Sequence, residues 1–209
     1  MYYVKSFEED FYTKKVVKDG KKKFQSIEDV VKNKIIKPNT VSFGVEQRLS
    51  TTIISKEYTK SYRAQGIIFK TKQKPNYIIP FDLVVLSDVE NVVVHYYRIK
   101  DSIHFYYNHK LVNGFEKFLY KDFKSMIKRF PTPENVWDVV NDFRVKNNLK
   151  RLPKTKKRLF QYNEAVFHSD VSIEPVAIFG YKKESRQKAK KLGLEYFRSV
   201  NEFYKKYGE

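Results

Sequence analysis

The stretch PFDLVVLSDVENVVVHYYRIK, Pro80 to Lys100, places Asp82 at the entry of one apolar run and Lys100 at the close of the next. A carboxylate and an ammonium at the ends of two half-buried strands are costly unless each is partnered. Together they meet the needs of phosphodiester hydrolysis. The carboxylate can hold a divalent cation that neutralises transition-state charge and acidifies a bound water, and the ammonium can orient that water. Arg98 lies two residues before Lys100, so on a regular strand both side chains project to one face. A guanidinium there can bind a phosphate but repels a cation. Taken singly, the residues have plainer readings: Asp82 as a turn residue bonded to backbone amides, Lys100 as a solvated strand end.

The elements that must position these groups follow from periodicity. YRAQGIIFKT, YIIPFDLVVLS and VVVHYYRIK alternate as strands and are separated by KQKPN and DVEN, which predicts three consecutive strands from Tyr62 onward. Before them, TVSFGVEQRLSTTIISKEY is predicted to be a helix with Phe43, Leu49 and Ile53 inward. After them, FEKFLYKDFKSMIKRF predicts one amphipathic helix through Phe115, Phe118, Leu119, Phe123 and Ile127. Thr132-Pro133-Glu134 opens another. The close of the chain reads strand (IEPVAIFGY), helix stopped by Gly193, short strand (LEYF), and a helix capped by Ser199 with Glu202, an order that implies a parallel or mixed sheet. At the N-terminus, Asp19-Gly20 marks a hairpin turn, and Ser26 with Asp29 resembles a capping box opening a helix at Ile27.

Composition narrows the partners. The 209 residues suit one decorated domain, and 42 Lys and Arg against 24 Asp and Glu leave a net charge of +18, which points to a polyanionic partner, above all nucleic acid. A basic surface kept for solubility is the bland alternative. With no cysteine, disulfides and thiolate chemistry are excluded. No run approaches the roughly 18 apolar residues of a membrane span, and the first residues lack a signal-peptide pattern, so the expectation is a cytoplasmic protein with no membrane partner. The glycines form neither a Walker loop nor a dinucleotide fingerprint, which predicts no nucleotide cofactor. His95, His104, His109 and His168 have no regular metal-ligand spacing and read as structural.

The order helix, three meandering strands with Asp82 on the second and Lys100 on the third, helix, then βαβα resembles the PD-(D/E)XK nuclease superfamily, within it the archaeal Holliday-junction resolvases and small restriction-type nucleases. The Lys-, Tyr- and Ile-rich composition would suit a hyperthermophilic archaeon or its virus, with host cytoplasm as the location in the latter case. The resemblance implies an α/β, restriction-endonuclease-like mixed sheet flanked by helices, with residues 40–130 and 172–205 as core. Residues 1–38 would be an N-terminal decoration, and 131–171 an inserted helix and basic loop. It further implies Mg²⁺ or Mn²⁺ held by Asp82, Glu46 and the Ile99 carbonyl, with Lys100 beside the attacking water. Symmetrical cutting would require a homodimer. The departure from the pattern is Arg98, where the family carries an acid.

The basic segment KNNLKRLPKTKKR carries Lys146, Lys150, Arg151, Lys154, Lys156, Lys157 and Arg158, seven cations in thirteen residues, and is predicted to be an exposed loop that contacts phosphate. Lys182, Lys183 and Arg186 fall at a predicted helix N-terminus, where backbone amides also favour phosphate. Two main functions follow: a Mg²⁺-dependent DNA endonuclease of resolvase type, or a non-catalytic DNA-binding protein whose site is degraded at Arg98. A basic adaptor for an acidic protein is a third.

Overall fold

A computed structural model describes residues 1–7, 16–18, 21–23, 25–40, 47–82, 92–97, 102–107 and 110–208. The chain opens with β1 (Tyr3–Ser6), β2 (Val16–Lys18), β3 (Lys21–Lys23), α1 (Ile27–Asn33), β4 (Ile35–Ile36), β5 (Asn39–Thr40), β6 (Gln47–Ile53) and β7 (Gln65–Lys70). Next come β8 (Tyr77–Ile79), β9 (Val92–Tyr97), β10 (Ser102–Tyr107), β11 (Lys110–Val112), a 3-10 helix (Phe115–Phe118), α2 (Phe123–Arg129), α3 (Pro133–Lys146) and a second 3-10 helix (Lys154–Phe160). It closes with β12 (Glu164–Phe167), β13 (Val171–Ser172), β14 (Glu174–Gly180), α4 (Lys183–Leu192), β15 (Glu195–Phe197) and α5 (Val200–Tyr207). These elements form two compact units, one from residues 1–76 with 165–209, the other from residues 77–164. In sequence, the second unit is one continuous stretch that lies between the two parts of the first.

The first unit is an α/β structure on a mixed sheet. Its strands run in the order β15-β14-β7-β1-β6-β12, with β5 also paired to β6. β14 and β15 are parallel, as the strand-helix-strand pattern requires, and the other pairings are antiparallel. β1 is no decoration: Tyr3 pairs with Ile53 on one side and Phe69 on the other. Successive residues of a strand face opposite ways, and here both faces are covered. Val4 joins Ile68, Phe179, Phe197 and Phe203 in one cluster, while Tyr3 packs on Phe69 and Phe167 with ring centroids 5.7 and 5.8 Å apart. β2 and β3 pair antiparallel with Lys18 opposite Lys21, and Asp19-Gly20, the expected turn, lies outside the described residues.

Helix boundaries in this unit follow local chemistry. Ser26 and Asp29 close a full capping box on α1, and Ser199 accepts the Glu202 N–H at the start of α5. α4 ends at Gly193, whose left-handed φ of 67° suits a residue without Cβ. Glu28 of α1 is paired with Lys188 of α4. Burial works to raise the Glu28 pKa, but the Lys188 hydrogen bond and charge outweigh it and hold the carboxyl below its ordinary value.

Two predicted helices are corrected. Residues 47–53 of the helix expected over 40–58 form β6, paired with β1 and β12. A spacing of four, Leu49 to Ile53, keeps both residues on one face of a helix or of a strand, and the β-branched run Thr51-Thr52-Ile53 decides for the strand. The helix expected over 115–130 is broken in two. Leu119 is extended, the Tyr120 N–H and C=O both bond Ile78, and Asp122 starts α2 by accepting the Ser125 N–H.

The expected three-strand meander is also absent among the described residues. β7 lies between β1 and β14, while β9 pairs with β10 and β10 with β11 in a separate antiparallel sheet. β9 thus finds its partner in the strand that follows it, the shorter loop to close. The second unit is otherwise built on aromatic packing: Phe81 lies 5.4 Å from both Phe118 and Phe160, and Phe118 lies 5.5 Å from Phe143. α3 begins as its sequence dictates, with Thr132 as N-cap and Pro133 in the first turn.

Gly66 sits where β1 and β14 flank β7, and a Cβ there would fall 2.2 Å from the Lys5 carbonyl oxygen. Gly66→Ala is expected to cost about 2–4 kcal/mol in urea unfolding. Gly193→Ala has open space and only backbone strain to bear, about 1–2 kcal/mol. Equal losses would show that the close approach at Gly66 is not what constrains it. Glu28→Gln should lower stability by about 0.5–1 kcal/mol at neutral pH. Because the folded pKa is depressed, the pair's contribution is full above the ordinary glutamate value and is lost as pH falls through the folded one. The wild-type advantage should therefore hold at neutral pH, begin to shrink once pH drops below the ordinary glutamate value, and vanish in stronger acid.

Candidate nucleic-acid interface

Of the residues assigned to hydrolysis, Asp82 alone lies within the described residues; Glu46, Arg98, Ile99 and Lys100 lie outside them. Asp82 is 8% exposed, and its Oδ2 accepts the Tyr162 hydroxyl at 2.9 Å. Its position follows from its neighbours: Phe81 is packed against Phe160, and the Asp82 N–H points to the Leu159 carbonyl at 3.5 Å. The carboxylate is thereby held against the end of the 3-10 helix 154–160, inside the second unit. Tyr162 was invisible to sequence reasoning, standing eighty residues from its partner with no local signal. Among the described residues, no three His, Asp or Glu side chains converge as a cation site would need.

The basic segment is more ordered than the exposed loop expected of it. Leu149 and Leu152 are buried, the Leu152 N–H donates to Asn141 Oδ1 at 2.7 Å, and Arg144 Nε donates to the Lys150 carbonyl at 2.7 Å. From Lys154 the chain winds into the 3-10 helix, anchored by buried Phe160 against Trp137 at 5.1 Å. The apolar residues fasten the segment, and its cations are left outward: Lys146, Lys150, Arg151, Lys154, Lys157 and Arg158 are exposed and Lys156 is half-buried. Arg151 pairs with Asp142 at 3.2 Å, a solvent-exposed contact that fixes little.

Lys117 and Arg129 extend this surface. The Lys117 ammonium lies 4.7 Å from the Phe143 ring centroid and 5.0 Å from that of Phe118. Burial holds its pKa below the ordinary lysine value, and the Lys146 and Arg129 charges push the same way, with Glu116 and Asp142 opposing. Crowded cations of this kind are electrostatically unfavourable until an anion arrives. Lys128 and Arg129 are legible in the sequence as a basic last turn of α2, but their relation to Lys117 is not.

In the first unit, Lys182 takes the N-cap position of α4, half-buried, with Lys183 and Arg186 exposed in the first turn. This agrees with the predicted helix N-terminus. No family model, curated protein or solved structure matches the chain.

The Asp82–Tyr162 bond is accessible to a double-mutant cycle. Tyr162→Phe and Asp82→Asn should each destabilise, and the pair should show coupling of about 1–3 kcal/mol by urea unfolding. Strict additivity would mean that the two groups do not stabilise one another.

Proposed function

We propose that the protein binds DNA by phosphate contact through the basic surface of residues 146–158 with Lys117 and Arg129. The observation that carries this reading is the way the segment is pinned by Leu149, Leu152 and Phe160 while its cations stay outward. Preordered cations lose little entropy on meeting phosphate, and each contact releases condensed counterions. Contacts of this type position a duplex without reading its sequence.

A hydrolytic reading on the same substrate rests on the buried carboxylate of Asp82, since perturbed surroundings of this sort are frequent where carboxylates do chemistry. In it, Asp82 with the Ile99 carbonyl would hold Mg²⁺ or Mn²⁺, which would supply Lewis acidity. Lys100 would stand beside the attacking water, Arg98 would bind the phosphate, and the frame would be restriction-endonuclease-like. The Tyr162 hydroxyl would then fix the carboxylate's orientation, as hydrogen-bonded outer residues do for metal ligands. Two such sites in a homodimer would cut both strands.

Duplex binding measured by anisotropy should weaken by two or more orders of magnitude between about 50 and 200 mM salt. Lys154→Gln/Lys157→Gln/Arg158→Gln should reduce the slope of log K against log salt by roughly 0.9 for each phosphate contact removed. A flat salt response, or tighter binding of polyglutamate than of heparin or DNA, would overturn the DNA reading in favour of a protein partner. Cleavage of linear and branched DNA with Mg²⁺ or Mn²⁺ tests the second reading. Wild type should cut, while Lys100→Ala and Asp82→Asn should retain binding and lose about a hundredfold or more in rate. No cutting by wild type, or equal cutting by all three, would remove it.

A further inference from the structure

The first unit carries a candidate surface of its own, where one end of the sheet gathers aromatic and cationic side chains from separate parts of the chain. Register locates it. Gly180, the last residue of β14, pairs with Gln65, the first of antiparallel β7, so Tyr181 leaves the sheet at the end where Tyr62 and Arg63 approach it. Parallel β15 ends beside them, Phe197 opposite Phe179, and is followed by exposed Arg198. Tyr62 stands only three residues before Gln65, about 10 Å of chain at most.

The side chains at this end are outward. Tyr181 is 67% exposed and Tyr62 47%, two of the few large exposed apolar side chains among the described residues. The Arg63 guanidinium lies 4.8 Å from the Tyr62 ring centroid, and the Arg63 N–H donates to Ser6 Oγ at 3.2 Å, which fixes this approach to the end of β1. Lys182 and Lys183 follow Tyr181 directly. The Lys182 side chain does not cap α4, whose first-turn amides point toward the same end. In that turn Ser185 Oγ is fully buried and has no hydrogen-bond partner among the described residues; it is turned onto Gly180, where a Cβ would fall 2.2 Å from it. Glu184 is the exposed acid of this turn, and Glu202 is engaged by the Arg198 N–H. Glu8, Glu9 and Asp10, next in sequence after Phe7, lie outside the described residues.

We propose that this sheet end binds an unpaired DNA strand, with bases stacking on Tyr62 and Tyr181 and the backbone running along Arg63, Lys182, Lys183 and Arg198. A duplex hides the faces of its bases, so exposed tyrosines gain nothing from it, whereas an unpaired base can stack on each ring while adjacent cations neutralise its phosphate. Tyrosine is suited to the place because its ring offers a flat apolar face and its hydroxyl tolerates water when no ligand is bound.

The experiment compares a fluorescent oligo(dT) of about 15 nucleotides with a duplex of the same length, on the full chain. Tyr62→Ala/Tyr181→Ala should weaken oligo(dT) binding at least about tenfold and leave duplex binding unchanged, and Tyr62→Phe/Tyr181→Phe should restore it. An oligonucleotide carrying 5-iododeoxyuridine should crosslink on irradiation to the peptide containing Tyr181. Lys154→Gln/Lys157→Gln/Arg158→Gln should weaken the duplex complex far more than the oligo(dT) complex, so failure of the duplex surface and failure of this one are read separately. Oligo(dT) binding unaffected by the alanine pair, an equal loss for duplex and single strand, or crosslinks confined to residues 146–158 would each overturn the proposal.

Discussion

Everything in the first unit depends on satisfying both edges of β1. All four residues, Tyr3–Ser6, pair with β7 and two of them, Tyr3 and Val4, also pair with β6, so that among the described residues β1 is what joins the β14-β15 half of this sheet to the β6-β12 half. A central strand must also bury both faces, which is why Tyr3 and Val4 are adjacent and both apolar. The constraint propagates to β7. With β1 on one flank and β14 on the other, the backbones close in at Gly66 until no side chain fits against the Lys5 carbonyl. Residues close to the start of the chain therefore hold together elements that are distant from them in sequence.

How much of this could be read beforehand follows from the range of the interactions. Caps and stops are local, and Ser26, Thr132, Gly193 and Ser199 appear where the sequence placed them. The parallel β14–β15 pair was legible too, since strand-helix-strand at short spacing has few other solutions. Pairings were not. YYVKSF reads the same whether it ends a decoration or fills the middle of a sheet, because alternation reports burial and not the identity of the neighbour. β6 was misread because a four-residue apolar spacing belongs to both periods, and the 115–130 helix because its interruption comes from Ile78, a tertiary partner. The order of strands on which the nuclease resemblance was drawn shares this weakness. Succession along the chain was visible, adjacency was not, and β7 and β9 lie in different sheets.

The candidate site divides the same way. That Lys146 to Arg158 would be outward could be seen from charge alone, but the cause of their fixed position could not. Leu149 and Leu152 carry no periodic signal in a lysine-rich run, yet they pin the segment together with Asn141, whose side-chain oxygen takes the Leu152 N–H. Anchors of this kind distinguish a surface that can meet a polyanion at low entropic cost from a solvated tail that must first be ordered. Lys117 tells the same story: its companions Arg129 and Lys146 come from two different helices, α2 and α3, and only folding brings their charges to bear on it.

Asp82 shows why a buried carboxylate cannot by itself decide between structure and catalysis. The hydrogen bond from Tyr162 meets part of the acceptor capacity of the carboxylate and fixes its orientation. In a structural role that bond offsets the cost of burying a polar group beside Phe81 and Phe160; in a catalytic role the same bond would orient a cation ligand. What differs is the source of the positive charge. The proposed phosphate contact draws on the charges of the lysines themselves, whose segment is pinned by Leu149, Leu152 and Phe160. The proposed DNA contact and the proposed hydrolysis therefore call on different chemical groups, exposed cations for the first and a buried carboxylate for the second, although Phe160 and the end of the 3-10 helix serve both.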